Sequence, residues 1–353
     1  MTDNEVETLL DRLLDESKIS HDRRIAKDLL RSALDIGRDS TSTLNLKIAS
    51  SAIAEMREAF AMFAPFVDRK KVTIFGSART TKDDPLYRQT EAVAAKLAQN
   101  GWMVMTGAGP GIMEAGMSGA GREMSIGVSI RLPFETSANP IIAGDEKYVA
   151  MKYFFTRKLM LVKESHAFIC MPGGFGTLDE MFELLTLSQT GKGNPVPIVI
   201  LDLPGDPFWE NLDAFIRETL VPRKLVSAQD LALYKVCNSV EQAVLEIDNF
   251  YSNYHSMRYV GKELVLRLNK TLTKGQIDDL NASFADICVG DSRLEVVKTS
   301  RQGARRPKRS PSSGRNQASR TRADVDPSQK GGREGDFVAD QNLTRIFALF
   351  RTC

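Results

Sequence analysis

No two cysteines in this chain are spaced as CxxC; only four occur (Cys170, Cys237, Cys288, Cys353), beside three histidines. So few and scattered soft ligands argue against a metal site, and the lack of a disulfide framework suits a reducing compartment. No apolar run approaches the roughly 20 residues that span a bilayer. The first residues, "MTDNEVETLLDRLLDES", are acidic and amphipathic, unlike a signal peptide, so a cytoplasmic protein without membrane contact is expected. The Walker pattern GxxxxGK[ST] is also absent, which argues against a P-loop nucleotidase. The turn "GAGPGI" contains GxG, but Ile112 stands where a dinucleotide fingerprint needs its third glycine, and the turn follows the second strand rather than the first. No lysine has a recognisable Schiff-base setting, so no cofactor is expected.

The 353 residues suffice for one large α/β domain with appendages, and 42% apolar with 26% charged residues is a globular composition. The net charge of +2 hides an asymmetry. Residues 301–333 hold ten Lys and Arg against two Asp, a local +8 that leaves about −6 for the remainder. Beyond about Lys298 the chain is rich in Arg, Ser, Gly and Pro with almost no apolar residues. It cannot bury enough surface to offset its chain entropy, so 298–353 is expected to be mostly disordered. Such a tail could touch a phosphate backbone. With no aromatic residue between Arg301 and Arg333 to stack on bases, however, a solvated linker is the simpler reading.

Residues 1–68 carry apolar residues at three- and four-residue spacing and predict a helical arm, with Pro65 closing its third helix. From Lys70 short apolar runs alternate with helical stretches: "KVTIFGSA", "WMVMTGAGPG", "SIGVSIRLP", "AFICMPGG" and "VPIVILDL" as strands, with "YVAMKYFFTRKLMLVKES" read as one long helix. Strands alternating with helices of ten or more residues predict a parallel sheet covered on both faces: an α/β, Rossmann-like, doubly wound domain over 69–254. A small strand–helix–strand satellite is expected over 255–297, from "KELVLRLNK", "TKGQIDDLNASFAD" and "ICVG".

Ligands of open α/β sheets bind at the carboxyl ends of the strands, and there the glycines gather. The candidate binding positions are Gly76 and Ser77 after the first strand, Gly109 after the second, and the run Gly173, Gly174, Phe175, Gly176, Thr177 after the fourth. Helix N-termini with glycine turns favour an anion, and a phosphorylated small molecule is the default ligand. Asp179, Glu180 and Glu183 follow directly. Thr177 and Glu180 have the spacing of a capping box, a purely structural reading that stays open. The alternative is functional: carboxylates beside a phosphate cost electrostatic energy unless a cationic centre, such as a ribosyl oxocarbenium ion, develops there. Arg157 and Lys158 lie among apolar neighbours in the long helix, so at least one cation is expected to be partly buried and to want a carboxylate or phosphate.

These residues resemble the LOG ("lonely guy") phosphoribohydrolases, a family long mislabelled as lysine decarboxylases. "PGGFGTLDE" matches every fixed position of the signature PGGxGTxxE, and "TRK" supplies the family's Arg-Lys pair, 23 positions upstream of Glu180. "GAGPGIME" is similar to the second-strand turn, and Gly76-Ser77 to the first-strand motif. The resemblance covers about 70–254. It implies an N-glycosidase that hydrolyses AMP or N6-modified AMP (a cytokinin riboside monophosphate) to free base and ribose 5-phosphate. It also implies a homo-oligomer, dimer or larger, with the site near the subunit boundary. By the same resemblance Gly174, Gly176 and Thr177 hold the phosphate, Glu180 stabilises the oxocarbenium and orients or deprotonates water, and Arg157 binds substrate and assists departure of the base. Lys158 lies nearby, Thr186 matches a binding position, and Glu135 in "LPFE" is aligned to another. The arm, satellite and tail lie outside the minimal family domain and resemble longer bacterial members. The competing reading is a non-catalytic nucleotide-binding sensor of the same superfamily, which would have no need of Glu180 beside a phosphate.

Overall fold

The computed structural model describes residues 2–39, 41–131, 138–260, 263–284, 293–296 and 319–324. The chain divides into two units, Met1–Ala61 and Met62–Cys353. In the first, helix α1 (Asp3–Glu16) starts at a capping box in which Thr2 and Glu5 satisfy each other's backbone N–H. Helix α2 (Arg23–Arg38) pairs with it through Lys27 to Glu7 and Asp11, and through Arg31 to Asp3 and Glu7. Such solvent-exposed pairs contribute little, because water and salt screen them. Helix α3 runs Thr43–Phe63 and ends in a single 3-10 turn at Ala64–Phe66, where Pro65 has no N–H to continue the ladder.

The second unit holds a seven-stranded sheet, in chain order β1 (Lys71–Phe75), β2 (Met103–Thr106), β3 (Ser125–Ile130), β4 (Tyr148–Met151), β5 (Ala167–Cys170), β6 (Ile198–Leu201) and β7 (Lys235–Cys237). The spatial order is β4-β3-β2-β1-β5-β6-β7, and every pairing is parallel. The strands β1, β2, β5 and β6 are buried at every residue. That burial on both faces is why they read as largely apolar runs rather than alternating ones, with Lys71, Thr73 and Thr106 the polar exceptions. Helices α4 (Pro85–Gln99), α5 (Ile112–Ala120), α6 (Phe154–Lys163), α7 (Phe175–Gln189), α8 (Phe208–Phe215) and α9 (Val240–Asn253) complete this layered fold. Val72, Ile74, Leu97, Trp102, Val104, Ile169, Val199 and Ile247 lie in one core cluster under α4 and α9.

Within the seven-stranded sheet one element differs from the sequence reading. "YVAM" is the edge strand β4, paired to β3, and not the start of a long helix. A short apolar run cannot be assigned by periodicity alone, and here Tyr148 and Val149 gain ladder bonds from β3. Helix α6 therefore begins at Phe154, and Arg157 falls in its first turn or just past it rather than at mid-helix.

A second sheet has the order β10-β11-β9-β8, from β8 (Tyr254–Val260), β9 (Glu263–Leu268), β10 (Glu295–Val296) and β11 (Ser319–Asp324), with α10 (Lys274–Phe284). Leu264, Leu266, Leu268, Leu280 and Phe284 share its core with Phe250 of α9. Strand β11 lies inside the basic tail, whose composition predicts no regular structure. It pairs antiparallel with β9 along its length. Composition speaks to side-chain burial, whereas strand addition draws on the backbone groups of an open edge. The "ICVG" strand expected of the satellite and the rest of 298–353 lie outside the described residues. No helix among the described residues is long and apolar enough to cross a membrane.

Candidate functional site

Strand order reverses between β1 and β5: β1 continues to β2 on one side, while β5 lies on the other. The glycine turns after β1, β2 and β5 therefore meet at the topological switch point, where open sheets leave a crevice. The three turns are laced together. The Ser77 N–H donates to Pro172 O at 3.3 Å, and the Ile112 N–H donates to Ser77 O at 3.0 Å. The Ser77 hydroxyl accepts from Arg79 N at 3.1 Å, so it stabilises its own turn. Gly111, at φ +67°, sits so close to the Ser77 carbonyl that any side chain there would overlap it. The β2 turn is also held from a distance: the Asn139 N–H donates to Ala108 O at 2.8 Å and its amide to Gly109 O at 3.2 Å. Asn139 is 6% exposed and lies far from the turn in sequence, so no local pattern could have singled it out.

Helix α7 begins at Phe175, with Gly174 as an N-cap that has no side-chain bond to offer. This overturns the capping-box reading. Thr177 already lies inside the helix, and Glu180 turns away from the N-terminus to the guanidinium of Arg157. The leading N–H groups of α7 therefore have no side-chain cap, in a position that favours negative charge. A Cβ added at Gly174 or at Gly176 would meet nothing within 4 Å, and neither residue has a left-handed φ. Packing within the chain does not explain these two glycines; the space beside them is open. Gly173 differs, since a side chain there would overlap the Thr177 hydroxyl group. Phe175 projects outward at 92% exposed.

Arg157 is 7% exposed and donates two side-chain hydrogen bonds within the chain. Its Nε donates to Val128 O of β3 at 3.0 Å, and its Nη1 donates to Glu180 Oε1 at 2.9 Å. Burial raises the Glu180 pKa above the usual carboxylate range, with Arg157 pulling the other way. Beneath it, burial pushes the Cys170 thiol up, and the Glu180 charge adds to that. Lys158, next along α6, binds Asp179 at 2.7 Å and Glu183 at 2.9 Å. Burial opposes its charge, but the two carboxylates prevail and its pKa is raised. Lys158 thus ties α6 to α7 on either side of Glu180.

The structure brings together Gly76, Ser77, Gly109, Arg157, Lys158, Gly173, Gly174, Phe175, Gly176, Thr177 and Glu180 around the ends of β1, β2 and β5. Thr186 lies further along α7, six residues past Glu180. The Thr186 hydroxyl donates back to Phe182 O at 2.8 Å, and six residues along a helix place it about 120° around from Glu180. Glu135 lies outside the described residues. Sequence reasoning missed the backbone carbonyl of Val128 and Asn139, both of which act only through the tertiary fold. Around the site Phe154, Phe155 and Leu159 of α6 and Phe182 of α7 are exposed, a run of apolar surface beside the charged cluster. No group of three or more His, Cys, Asp or Glu among the described residues is placed to hold a metal ion.

The family model described as "Possible lysine decarboxylase" matches residues 105–247. The rice (Oryza sativa subsp. japonica) cytokinin riboside 5'-monophosphate phosphoribohydrolase LOG is 27% identical over 129 residues, 35% of this chain and 48% of its own length. An Arabidopsis thaliana protein of the same description, LOG1, is 24% identical over 197 residues, covering 53% of this chain and 87% of its own. The match thus spans about half the rice protein. Among solved structures, the molybdenum cofactor carrier protein of Chlamydomonas reinhardtii is 20% identical, with a TM-score of 0.36, covering 51% of this chain and 96% of its own.

Proposed function

We propose that this chain is a member of the LOG family, whose relatives it matches over part of its length, and a phosphoribohydrolase acting on purine nucleoside 5'-monophosphates, AMP or N6-modified AMP. The observation that carries the reading is the buried Arg157–Glu180 pair, standing beside an uncapped helix N-terminus whose two glycines face open space. The 5'-phosphate lies against the N–H groups at the start of α7, with Gly174 and Gly176 leaving room for its oxygens. That places the ribose toward Glu180.

The bond between C1' and the base nitrogen breaks, and its electron pair leaves with the base. The cationic charge that grows on the ribose faces the Glu180 carboxylate, which costs no reorganisation because Arg157 already orients it. Water adds at C1' and gives a proton to Glu180, whose basicity burial increases. The departing base nitrogen takes up a proton and Glu180 gives its own back to solvent, so that the products are free base and ribose 5-phosphate.

The test is to incubate the protein with AMP, and separately with N6-isopentenyl-AMP, and to follow free base and ribose 5-phosphate by chromatography. Stoichiometric release of both supports the reading. Tight AMP binding with no release across the common nucleotides replaces it with the sensor.

The reading extends to assembly. Phe154, Phe155, Leu159, Phe175 and Phe182 form exposed apolar surface beside the site, and a second copy of the chain would cover it in a homodimer. Light scattering should return twice the chain mass at micromolar concentration. A monomer mass there, with full activity, removes this part alone.

A further inference from the structure

Gly107 closes β2 in a conformation that does not call for glycine: it is not among the residues with left-handed φ. The next residue, Ala108, takes the left-handed position of the same turn at φ +59°. The chain thus places an alanine where backbone geometry favours glycine, and glycine where it does not. The reason for Gly107 lies in its surroundings. A Cβ built on it would overlap Arg157 Nη2, lie 2.7 Å from Met113 Sδ, and stand 3.5 Å from Arg157 Cζ.

The guanidinium is planar and rigid, so its bonds through Nε to Val128 O and through Nη1 to Glu180 together fix where Nη2 lies. That place is directly over Gly107. Any side chain at 107 forces the guanidinium to rotate, and rotation breaks one of the other two bonds. Because the obstructing atoms belong to the far end of a long side chain, the fold can yield there without losing its core.

We propose that Gly107 is a positioning residue: its missing side chain forms the slot that lets Arg157 span from β3 to Glu180. This rests on the phosphoribohydrolase reading, under which Arg157 and Glu180 act on the substrate. In that reaction a displacement of about 1 Å is enough to cost about 100-fold.

The test compares Gly107→Ala, Met113→Ala, the double variant, and Gly107→Ala combined with Arg157→Met. Gly107→Ala is expected to fold, to keep its KM for AMP within about threefold, and to lose about 100-fold in kcat. Met113→Ala alone stays near wild type, and adding it to Gly107→Ala restores nothing. Gly107→Ala has no further effect in the Arg157→Met background, since its target is already gone. Activity of Gly107→Ala within about threefold of wild type, rescue by Met113→Ala, or additivity with Arg157→Met overturns the slot.

A readout independent of turnover separates this from the function itself. Arg157, Lys158, Asp179 and the Cys170 thiol are the titratable groups around Glu180. Displacing Arg157 removes the largest of the charges that hold the Glu180 pKa down, so carboxyl-carbon NMR should show that pKa rise in Gly107→Ala. An unchanged titration overturns the slot even if the wild type hydrolyses AMP; a raised one upholds it even if no nucleotide is cleaved.

Discussion

Glu180→Gln should abolish base release, lowering kcat by about 1,000-fold while AMP binding changes little. Gln is isosteric, and its amide oxygen can still accept from Arg157 Nη1, so the 2.9 Å contact that orients the side chain survives. What disappears is the negative charge facing the ribose and the capacity to take a proton. The substitution also leaves the buried Arg157 cation facing a neutral partner, so a circular dichroism spectrum at the assay temperature should accompany the kinetics to show that the variant is folded. Single-turnover kinetics with labelled AMP, beside calorimetric binding of AMP, separates the two effects. A variant that keeps more than about one tenth of the wild-type rate would place the essential carboxylate elsewhere, with Asp179 and Glu183 the nearest candidates.

Arg157→Met has the second large effect, and it falls on stability as well as turnover. The Arg157 and Glu180 side chains are 9% and 12% exposed. Removing one partner of such a pair leaves an uncompensated charge in low dielectric, at a cost of about 3–5 kcal/mol. The pH dependence follows from the direction of the Glu180 shift. Burial already raises its folded-state pKa, and without Arg157 that pKa rises further. A carboxyl whose folded pKa exceeds its unfolded value of about 4.3 penalises the fold as pH rises between the two, because the native state then binds more protons. The penalty is complete above the folded pKa and absent below the unfolded one. Arg157→Met should therefore lie closest to wild type near pH 4.5 and furthest from it near pH 8. Adding Glu180→Gln should return part of the loss at pH 8. Chemical denaturation of the three variants at both pH values checks this. An equal deficit at the two pH values, or no recovery in the double variant, would mean that Glu180 is not the group left uncompensated. Base release should fall about 100-fold in Arg157→Met at either pH while staying measurable in single-turnover assays.

The parallel sheet was legible because burial on both faces writes itself as largely apolar strands, and the glycine turns because close backbone approach tolerates few other residues. The edge strand β4 was not legible: four residues carry too little periodicity, and their pairing partner β3 lies in a separate stretch of chain. The capping box failed for a related reason. Thr177 and Glu180 have the right spacing, but spacing cannot show that α7 starts at Phe175 or that an arginine stands within reach of Glu180. Strand β11 likewise owes its existence to the edge of β9 and not to its own composition.

By itself the sequence determined the chemistry available: an arginine and a glutamate 23 residues apart, a glycine-rich turn ahead of a helix, and no metal-ligand or Walker pattern. Only the tertiary structure decided how that chemistry is arranged. Strand order reverses between β1 and β5 and brings the three turns to one crevice. A carbonyl from β3 and the bare backbone of Gly107 aim Arg157, and burial raises the Glu180 pKa. The physical reason is that side-chain identity is local, whereas burial, orientation and electrostatic coupling depend on neighbours that the fold draws from separate parts of the chain.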